Sequence, residues 1–176
     1  QYVYLETLGG GMGGRATKDG KDGVQVNITN TSNLPVEAIE MEYPLRVEDY
    51  ALIEDSGGAG THRGGMGIRR SIRPVGHMCE FNGVGERFRH QPWGIFGGTS
   101  GAQGAFHIET HDVEKVSLTS KASRVKLWPE NIVVISTPGA GGYGTPKNRT
   151  KDALRQDLAS GKFTEDFLNK HYKNNT

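Results

Sequence analysis

The sequence predicts a β-rich α+β fold in which short strands are joined by glycine-rich loops. Only 34% of the 176 residues are hydrophobic and 26 are glycine, so much of the chain is expected in turns and irregular loops. Apolar residues alternate over several short stretches, which is typical of strands. Helical spacing is confined to one short internal stretch and to the C-terminal end. At this length the chain is predicted to form one region, residues 1–176.

The first part of the chain is predicted to hold two strands and the internal helix. Residues 2–8 and 24–29 alternate between apolar and polar side chains and are interpreted as strands. Pro35 suits a first helical turn, and Val36 and Ile39 lie on one helical face, which favours a short helix ending before Pro44. A strand is the alternative there. Residues 45–53 are expected to be extended.

The middle of the chain is predicted to be a series of short strands. Residues 67–74 and 75–84 are expected to pair with each other around the turn that contains Gly76. Residues 87–104 form a long loop, with Trp93 and Phe96 as its expected anchors. Further strands are predicted at residues 105–109, 115–118, 123–127 and 132–137.

The C-terminal end is predicted to consist of two helices. In residues 151–160, Leu154 and Leu158 lie one turn apart, and Gly161 ends this helix. The second helix begins near Thr164, whose hydroxyl can cap it. The chain is therefore divided into a β-rich glycine-loop body, residues 1–145, and a helical tail, residues 146–176.

Composition excludes several classes of function. The net charge is +1 with both signs mixed along the chain, so no basic face for nucleic acid is expected. No apolar run has membrane-spanning length. The single cysteine, Cys79, rules out an internal disulfide and suits a reducing compartment, and a cytoplasmic location is predicted.

Two motifs of known enzymes occur by accident. Asp55-Ser56-Gly57-Gly58 matches the surroundings of the nucleophile in trypsin-like proteases. That site needs a histidine earlier in the chain than the serine, whereas the first histidine is His62. Gly9, Gly11 and Gly14 spell G-x-G-x-x-G, but polar, glycine-broken sequence follows where a dinucleotide site requires a helix.

Metal chemistry is not predicted in this chain. His107 and His111 are four residues apart, but the stretch between them is interpreted as a strand end, where that spacing does not converge. The other histidines are scattered.

Four glycine clusters are the main candidates for function; they lie at residues 9–14, 57–67, 97–104 and 139–144. Glycine brings the backbone close to a partner, so such loops can turn several N–H groups toward one anion. Arg15 and Arg63 lie in or beside two of them and can bind a carboxylate or phosphate. The alternative is that the clusters are tight turns whose arginines bond to nearby carboxylates and carbonyls.

Several longer segments resemble a known family. These matching segments, in chain order, are ETLGGGMGGRATKDGKDGVQV, TNTSNLPVEAIEMEYPLRVEDY, DSGGAGTHRGGMGIRR, ERFRHQPWGIFGGTSGAQG, Ser120-Lys121 and STPGAGGYGTP. Together they resemble the C-terminal region of hydantoinase B subunits and the related parts of 5-oxoprolinase, N-methylhydantoinase, and acetone and acetophenone carboxylases. Ala140 and Thr145 depart from that pattern, where the family usually has glycine and aspartate.

The resemblance implies a component of an ATP-dependent amidohydrolase for cyclic amides. The chain would be roughly the last third of a B-type subunit, inactive alone, and would work with the N-terminal part of that subunit. An ATP-binding hydantoinase A-like partner would use ATP with Mg to phosphorylate the substrate's carbonyl or enolate. A divalent metal, Zn or Mn, belongs to the N-terminal part in members that have one, and none is expected on this chain alone. The alternatives are a component of an ATP-dependent ketone carboxylase, or a structural scaffold segment.

Residue type and motif position give the candidate site. The arginines and loop amides are expected to bind an anion, and the acids to orient groups. No metal ligand is proposed. The predicted catalytic residues are Arg15, Asp19, Glu37 and Arg63, and the predicted substrate-binding residues are Asn33, Ser56, Gly57 and Gly58.

Overall fold

The computed structural model describes residues 1–27, 29, 31–110 and 113–173, in which short strands are followed by a helical tail. The elements in chain order are α1 (Val36–Glu42), β1 (Leu45–Leu52), β2 (Ile68–Pro74), β3 (Cys79–Val84), β4 (Ala105–Thr110), β5 (Val113–Leu118), β6 (Lys121–Leu127), β7 (Ile132–Ser136), a 3-10 turn (Pro146–Asn148), α2 (Lys151–Ala159) and α3 (Glu165–His171). The predicted β-rich α+β class, with one internal helix and two C-terminal helices, is confirmed.

The strands form two antiparallel sheets. Five of them lie in the order β1-β2-β7-β4-β5, and the other two, β3 and β6, pair separately. In the larger sheet Ile72 of β2 lies between Val47 of β1 and Val133 of β7. The predicted pairing of residues 67–74 with 75–84 is therefore wrong, because β2 pairs with β1 and β7 while β3 pairs with β6. Gly76, with φ of +72°, lies in the connection between β2 and β3.

One apolar core lies between the larger sheet, β3, β6 and α1. It is formed by buried residues from five elements, with the rings of several partly buried aromatic residues packed against it. Ile39 is the core residue that α1 supplies, which accounts for its helical spacing in the sequence. The buried members are Ile39, Leu45, Ile72, Leu127 and Val133.

The two segments predicted as early strands belong to neither sheet. Residues 2–8 make no backbone pairing with any other described segment. Residues 24–29 contribute one isolated bridge, between Gly10 and Val24, and Ile28 lies outside the described residues. Both strand predictions are therefore wrong. Exposure alternates along residues 2–8 but no described segment pairs with them, and Asn27, with φ of +65°, lies in a turn.

A second core consists of backbone rather than side chains. Segment 138–144 lies among the other three glycine clusters and is hydrogen-bonded to each: Gly11 N–H donates to Pro138 O, Gly58 N–H to Ala140 O, and Gly142 N–H to Thr99 O. A Cβ on Gly64 would lie 1.8 Å from Ala140 O, and one on Gly139 would lie 1.8 Å from Ser56 O. Glycine is required because these backbones approach closer than any side chain permits. We call these four clusters together the glycine core.

The helical tail packs on the glycine core. Thr150 and Thr164 cap α2 and α3 by accepting hydrogen bonds from Ala153 N–H and Phe167 N–H, as predicted for Thr164. Leu154 is buried with Phe163, Leu168 and Tyr172 against Ala59 and Met66. Leu158, predicted to share the buried face with Leu154, is instead exposed, and Asp157 is buried in α2.

The loop at residues 87–104 differs from its prediction. Trp93 and Phe96, expected to anchor it, are 65% and 74% exposed. The loop is held instead by its glycines, since Gly98 and Gly101 pack against backbone of segment 139–144. Backbone contact replaces the side-chain anchors that the sequence suggested.

None of the helices in the described part of the chain has both the length and the apolar character needed to cross a bilayer.

The glycine core predicts a position-specific cost for adding one methyl group. Gly64→Ala forces a Cβ into the Ala140 backbone and should lower the free energy of unfolding by more than about 3 kcal/mol. Gly13→Ala is the matched control, because the nearest atom to its Cβ would be 3.9 Å away, and it should change stability by less than about 1 kcal/mol. Denaturant unfolding of both variants measures the difference, and equal stabilities would contradict backbone packing at Gly64.

Candidate functional site

The candidate site is built around a buried group of charges beside the glycine core. We call Asp19, Asp22, Arg63, Arg149 and Asp157 the arginine–aspartate cluster. Asp19 and Asp22 follow the first glycine cluster, Arg63 lies inside the second, and Arg149 and Asp157 come from the tail. The cluster therefore joins three parts of the chain that are far apart in sequence.

Arg63 is at the centre of this cluster and is only 4% exposed. Its Nε donates to Asp157 Oδ1 at 3.0 Å, and its Nη1 and Nη2 donate to Asp22 at 2.7 and 3.2 Å. Nη1 also donates to Gly64 O at 3.0 Å. Its guanidinium is thus bonded on both its Nε side and its terminal side by groups of the same chain.

Arg149 forms the second half of the cluster and was missed by sequence reasoning. Its Nη1 and Nη2 bind both carboxylate oxygens of Asp19, at 2.7 and 2.8 Å, and its Nη2 also lies 2.6 Å from Asp157 Oδ2. Such paired, charge-assisted bonds are the strongest that an arginine makes. Asp19 also accepts the Arg63 backbone N–H at 2.9 Å.

Electrostatics keeps Asp19 and Asp22 ionised. Burial raises the pKa of Asp19, but the hydrogen bonds and charges of Arg149 and Arg63 outweigh burial and lower its pKa overall. The pKa of Asp22 is lowered for the same reason by Arg63 and the Met66 N–H. A carboxylate with a lowered pKa is a poor proton acceptor, so these two acids are suited to holding positive groups rather than to general-base chemistry.

The cluster is electrically balanced. Lys162 lies 3.4 Å from Asp22, so three positive groups face three carboxylates. Buried charges are tolerated when every member is paired, and removing one partner leaves the others desolvated and unpaired. The cluster therefore fixes the helical tail to the glycine core.

Two side chains lie on the more open side of Asp19. His62 Nδ1 is 3.7 Å from Asp19 Oδ1, and Arg15 Nη2 donates to the Asp19 carbonyl at 3.4 Å. Arg15 Nε is buried with no hydrogen-bond partner among the described residues. Arg15 therefore keeps most of its N–H donors unused within the described chain. His62 was treated as a scattered loop histidine, and only the fold brings it beside Asp19.

Ser56, Gly57 and Gly58 lie inside the glycine core. Ser56 Oγ donates to Ile53 O at 2.6 Å and accepts Gly67 N–H at 2.9 Å. Gly57 N–H is 3.3 Å from Met66 Sδ, and Gly58 N–H donates to Ala140 O at 2.8 Å. These donors are used within the chain, as in the tight-turn alternative, and the substrate-binding role of the three residues stays a prediction.

Asn33 and Glu37 lie at a different place. Asn33 Oδ1 accepts Gly9 N–H at 3.3 Å, and its Nδ2 donates to Tyr50 Oη at 2.8 Å. Glu37 is exposed in the first turn of α1. The structure thus brings together Arg15, Asp19 and Arg63, but shows no contact of Asn33 or Glu37 with them in the described part of the chain.

Two kinds of ligand group, phosphate-binding amides and metal-binding side chains, can be assessed in the described part of the chain. Several glycine amides that could form a phosphate cradle, such as those of Gly11, Gly58 and Gly142, donate instead to backbone carbonyls. Among the described residues no group of three or more His, Cys, Asp or Glu is placed to hold a metal ion. His107 bonds to Glu109 on its own strand at 2.9 Å, and His111 lies outside the described residues.

Comparison with known proteins identifies the family. Residues 1–146 match the hydantoinase B/oxoprolinase family, and the chain belongs to it. An uncharacterized protein of Methanocaldococcus jannaschii is 43% identical over 172 residues, which is 98% of this chain and 30% of that protein. The 5-oxoprolinase 1 of Arabidopsis thaliana is 39% identical over 147 residues, which is 82% of this chain and 11% of that enzyme. The chain thus spans less than a third of these relatives.

Solved structures share the fold. The ATP-dependent caprolactamase from Pseudomonas jessenii superposes with a TM-score of 0.76 at 25% identity, over 94% of this chain and 29% of that one. An acetone carboxylase superposes with a TM-score of 0.73 at 19% identity, over 89% of this chain and 25% of that one. The second likeness shows the fold alone.

The arginine–aspartate cluster predicts a large effect from one missing charge. Asp157→Asn removes the carboxylate that pairs with both Arg63 and Arg149 and should lower the free energy of unfolding by about 3 kcal/mol or more. Asp152→Asn, on the same helix, breaks only an exposed pair with Arg155 and should cost less than about 1 kcal/mol. Thermal and denaturant unfolding measure both, and a small loss for Asp157→Asn would show that the cluster does not hold the tail.

Proposed function

We propose that this chain is the C-terminal component of an ATP-dependent amidohydrolase that opens cyclic amides. It acts in a cytoplasmic hetero-oligomer with the remaining part of a B-type subunit and an ATP-binding hydantoinase A-like partner. The observation that carries the proposal is the match of nearly the whole chain to the fold of an ATP-dependent caprolactamase, together with its family membership. Caprolactam, hydantoins and 5-oxoproline share a ring amide, which makes that bond the proposed target.

Within such a complex this chain supplies a structural framework, the glycine core, and one cationic side chain. Arg15 is the proposed anion-binding residue, because four of its five N–H donors have no bond within the described chain and the fifth makes a 3.4 Å contact. Asp19 and Arg63 are proposed to position Arg15. Asp19 accepts the Arg63 backbone N–H and binds the Arg149 side chain, so these contacts hold the loop next to Arg15 in place. Glu37 and Asn33 would reach a substrate only through a separate face of the chain.

A carboxylase component is the second candidate. The likeness to an acetone carboxylase favours it, although at 19% sequence identity that likeness shows a shared fold alone. A scaffold segment is the third, and the internal use of the glycine amides favours it. A scaffold role is compatible with either enzyme, because a structural segment can also carry the anion-binding residue Arg15.

The reaction class is tested with the complex purified from its natural source or co-expressed with its companion polypeptides. We expect ATP-dependent opening of a cyclic amide, with water added across the C–N bond and with ADP and inorganic phosphate formed in proportion. Mass spectrometry of the product and an ADP assay measure both. Incorporation of bicarbonate into a ketone, without amide opening, would instead establish the carboxylase alternative.

The role of Arg15 is tested in the same complex. Arg15→Ala should lower kcat/KM by about a hundredfold or more, because an anion loses a preorganised charge, while leaving the unfolding temperature nearly unchanged. Arg46→Ala is the control, since Arg46 is an exposed arginine on β1. Unchanged turnover in Arg15→Ala would remove its assignment, and the corresponding result for Arg63→Ala would remove that of Arg63.

A further inference from the structure

Residues 2–8 form a segment whose side chains alternate between half-buried and exposed; we call it the unpaired segment. On its inner face Tyr2 Oη bonds to His77 Nε2 at 2.7 Å, and the rings of Tyr2 and Tyr4 lie 5.6 and 5.4 Å from that of Tyr43. Glu6 binds Tyr4 and pairs with Arg70 at 2.6 Å. These contacts hold one face of the segment against the rest of the chain.

The opposite face of the unpaired segment is apolar and open. Val3 and Leu5 are 82% and 86% exposed. No backbone N–H or C=O of residues 2–8 bonds to another backbone group among the described residues, and Thr7 O accepts only the Gln25 side chain. Unused backbone donors and acceptors beside alternating side chains form an edge to which another strand can add.

A long groove runs beside this edge. It consists of two adjoining cavities of about 970 and 640 Å³. Both cavities are lined by Leu5, Glu6 and Leu8 of the unpaired segment and by Phe81, Asn82 and Ile135 across from it. The groove follows the segment for most of its length, and seven residues of strand span roughly 23 Å.

We propose that a β-strand of the remaining part of a hydantoinase B-type subunit adds to the unpaired segment and fills this groove. The proposal rests on the proposed function. The added strand pairs with the backbone of residues 2–8, and its apolar side chains alternate into the groove against Phe81 and Ile135. The relatives supply the occupant: this chain matches only 30% of the Methanocaldococcus jannaschii protein, whose other part has no counterpart in it.

A second copy of this chain is a poorer occupant. Its own unpaired segment could pair edge to edge, but Tyr2, Tyr4 and Glu6 of that copy are bound to their own body. Only Val3 and Leu5 would be available, so the groove of each copy would stay largely unfilled. A strand with both faces free is needed to satisfy the edge and the groove together.

The test uses the assembled complex with a photo-crosslinking amino acid, benzoylphenylalanine, placed at Leu5. Met41→benzoylphenylalanine is the control, because Met41 is equally exposed, at 86%, and lies outside the groove. We expect position 5 to cross-link to the remaining part of the B-type subunit, within an extended apolar stretch, and position 41 not to do so. Cross-links from position 5 to a second copy or to the ATP-binding partner, or none, would overturn the proposal.

Two further measurements test strand addition independently of cross-linking. In the complex, amides of residues 2–8 should exchange with deuterium at least about tenfold more slowly than expected for unpaired backbone. Leu5→Asp should reduce the retained B-type remainder about tenfold or more, whereas Met41→Asp should not. None of these readouts needs turnover, so an inactive complex with the expected cross-link would contradict only the proposed function, and an active complex without it would contradict only the strand.

Discussion

The close approach of backbone to backbone in the glycine core is the constraint on which the rest of the structure depends. At Gly64 and Gly139 the neighbouring carbonyl oxygen occupies the place where a side chain would begin. The segments can then lie one against another and exchange hydrogen bonds directly, outside any helix or sheet. This explains how a chain with few hydrophobic residues forms a centre: part of its interior is made of peptide groups.

The buried charges help attach the helical tail to the glycine core. Glycine segments have no side chains with which to hold a neighbouring helix, so the tail is fixed at two places around them. Apolar contacts join Leu154, Phe163 and Tyr172 to the core, and the pairing of Asp157 with Arg63 and Arg149 adds a directional connection. Because each charge in that connection has a partner, the cluster can be buried without the cost of an isolated ion.

Rigidity at the centre leaves two features of the chain available for partners. One is Arg15, which extends from the glycine core with most of its donors unused. The other is the edge formed by residues 2–8, which Glu6 and Arg70 hold in place although nothing described pairs with it. Both features lie outside the glycine core, as expected of a component that contributes to a larger assembly.

The sequence by itself determined the local features and the family. Thr164, Pro35 and Gly161 defined the helices to within a residue or two, because these signals act on the adjacent backbone. The glycine motifs also named Arg15, Asp19 and Arg63 among a larger set of candidate residues, and only the structure brings these three together. Only the tertiary structure decided that β3 pairs with β6, that Trp93 is exposed, and that Asp157 is buried while Leu158 is not. Those outcomes depend on contacts between distant parts of the chain. Burial of Asp157 is favourable because Arg63 and Arg149 pair with it, and the sequence around Asp157 gives no local sign of those partners.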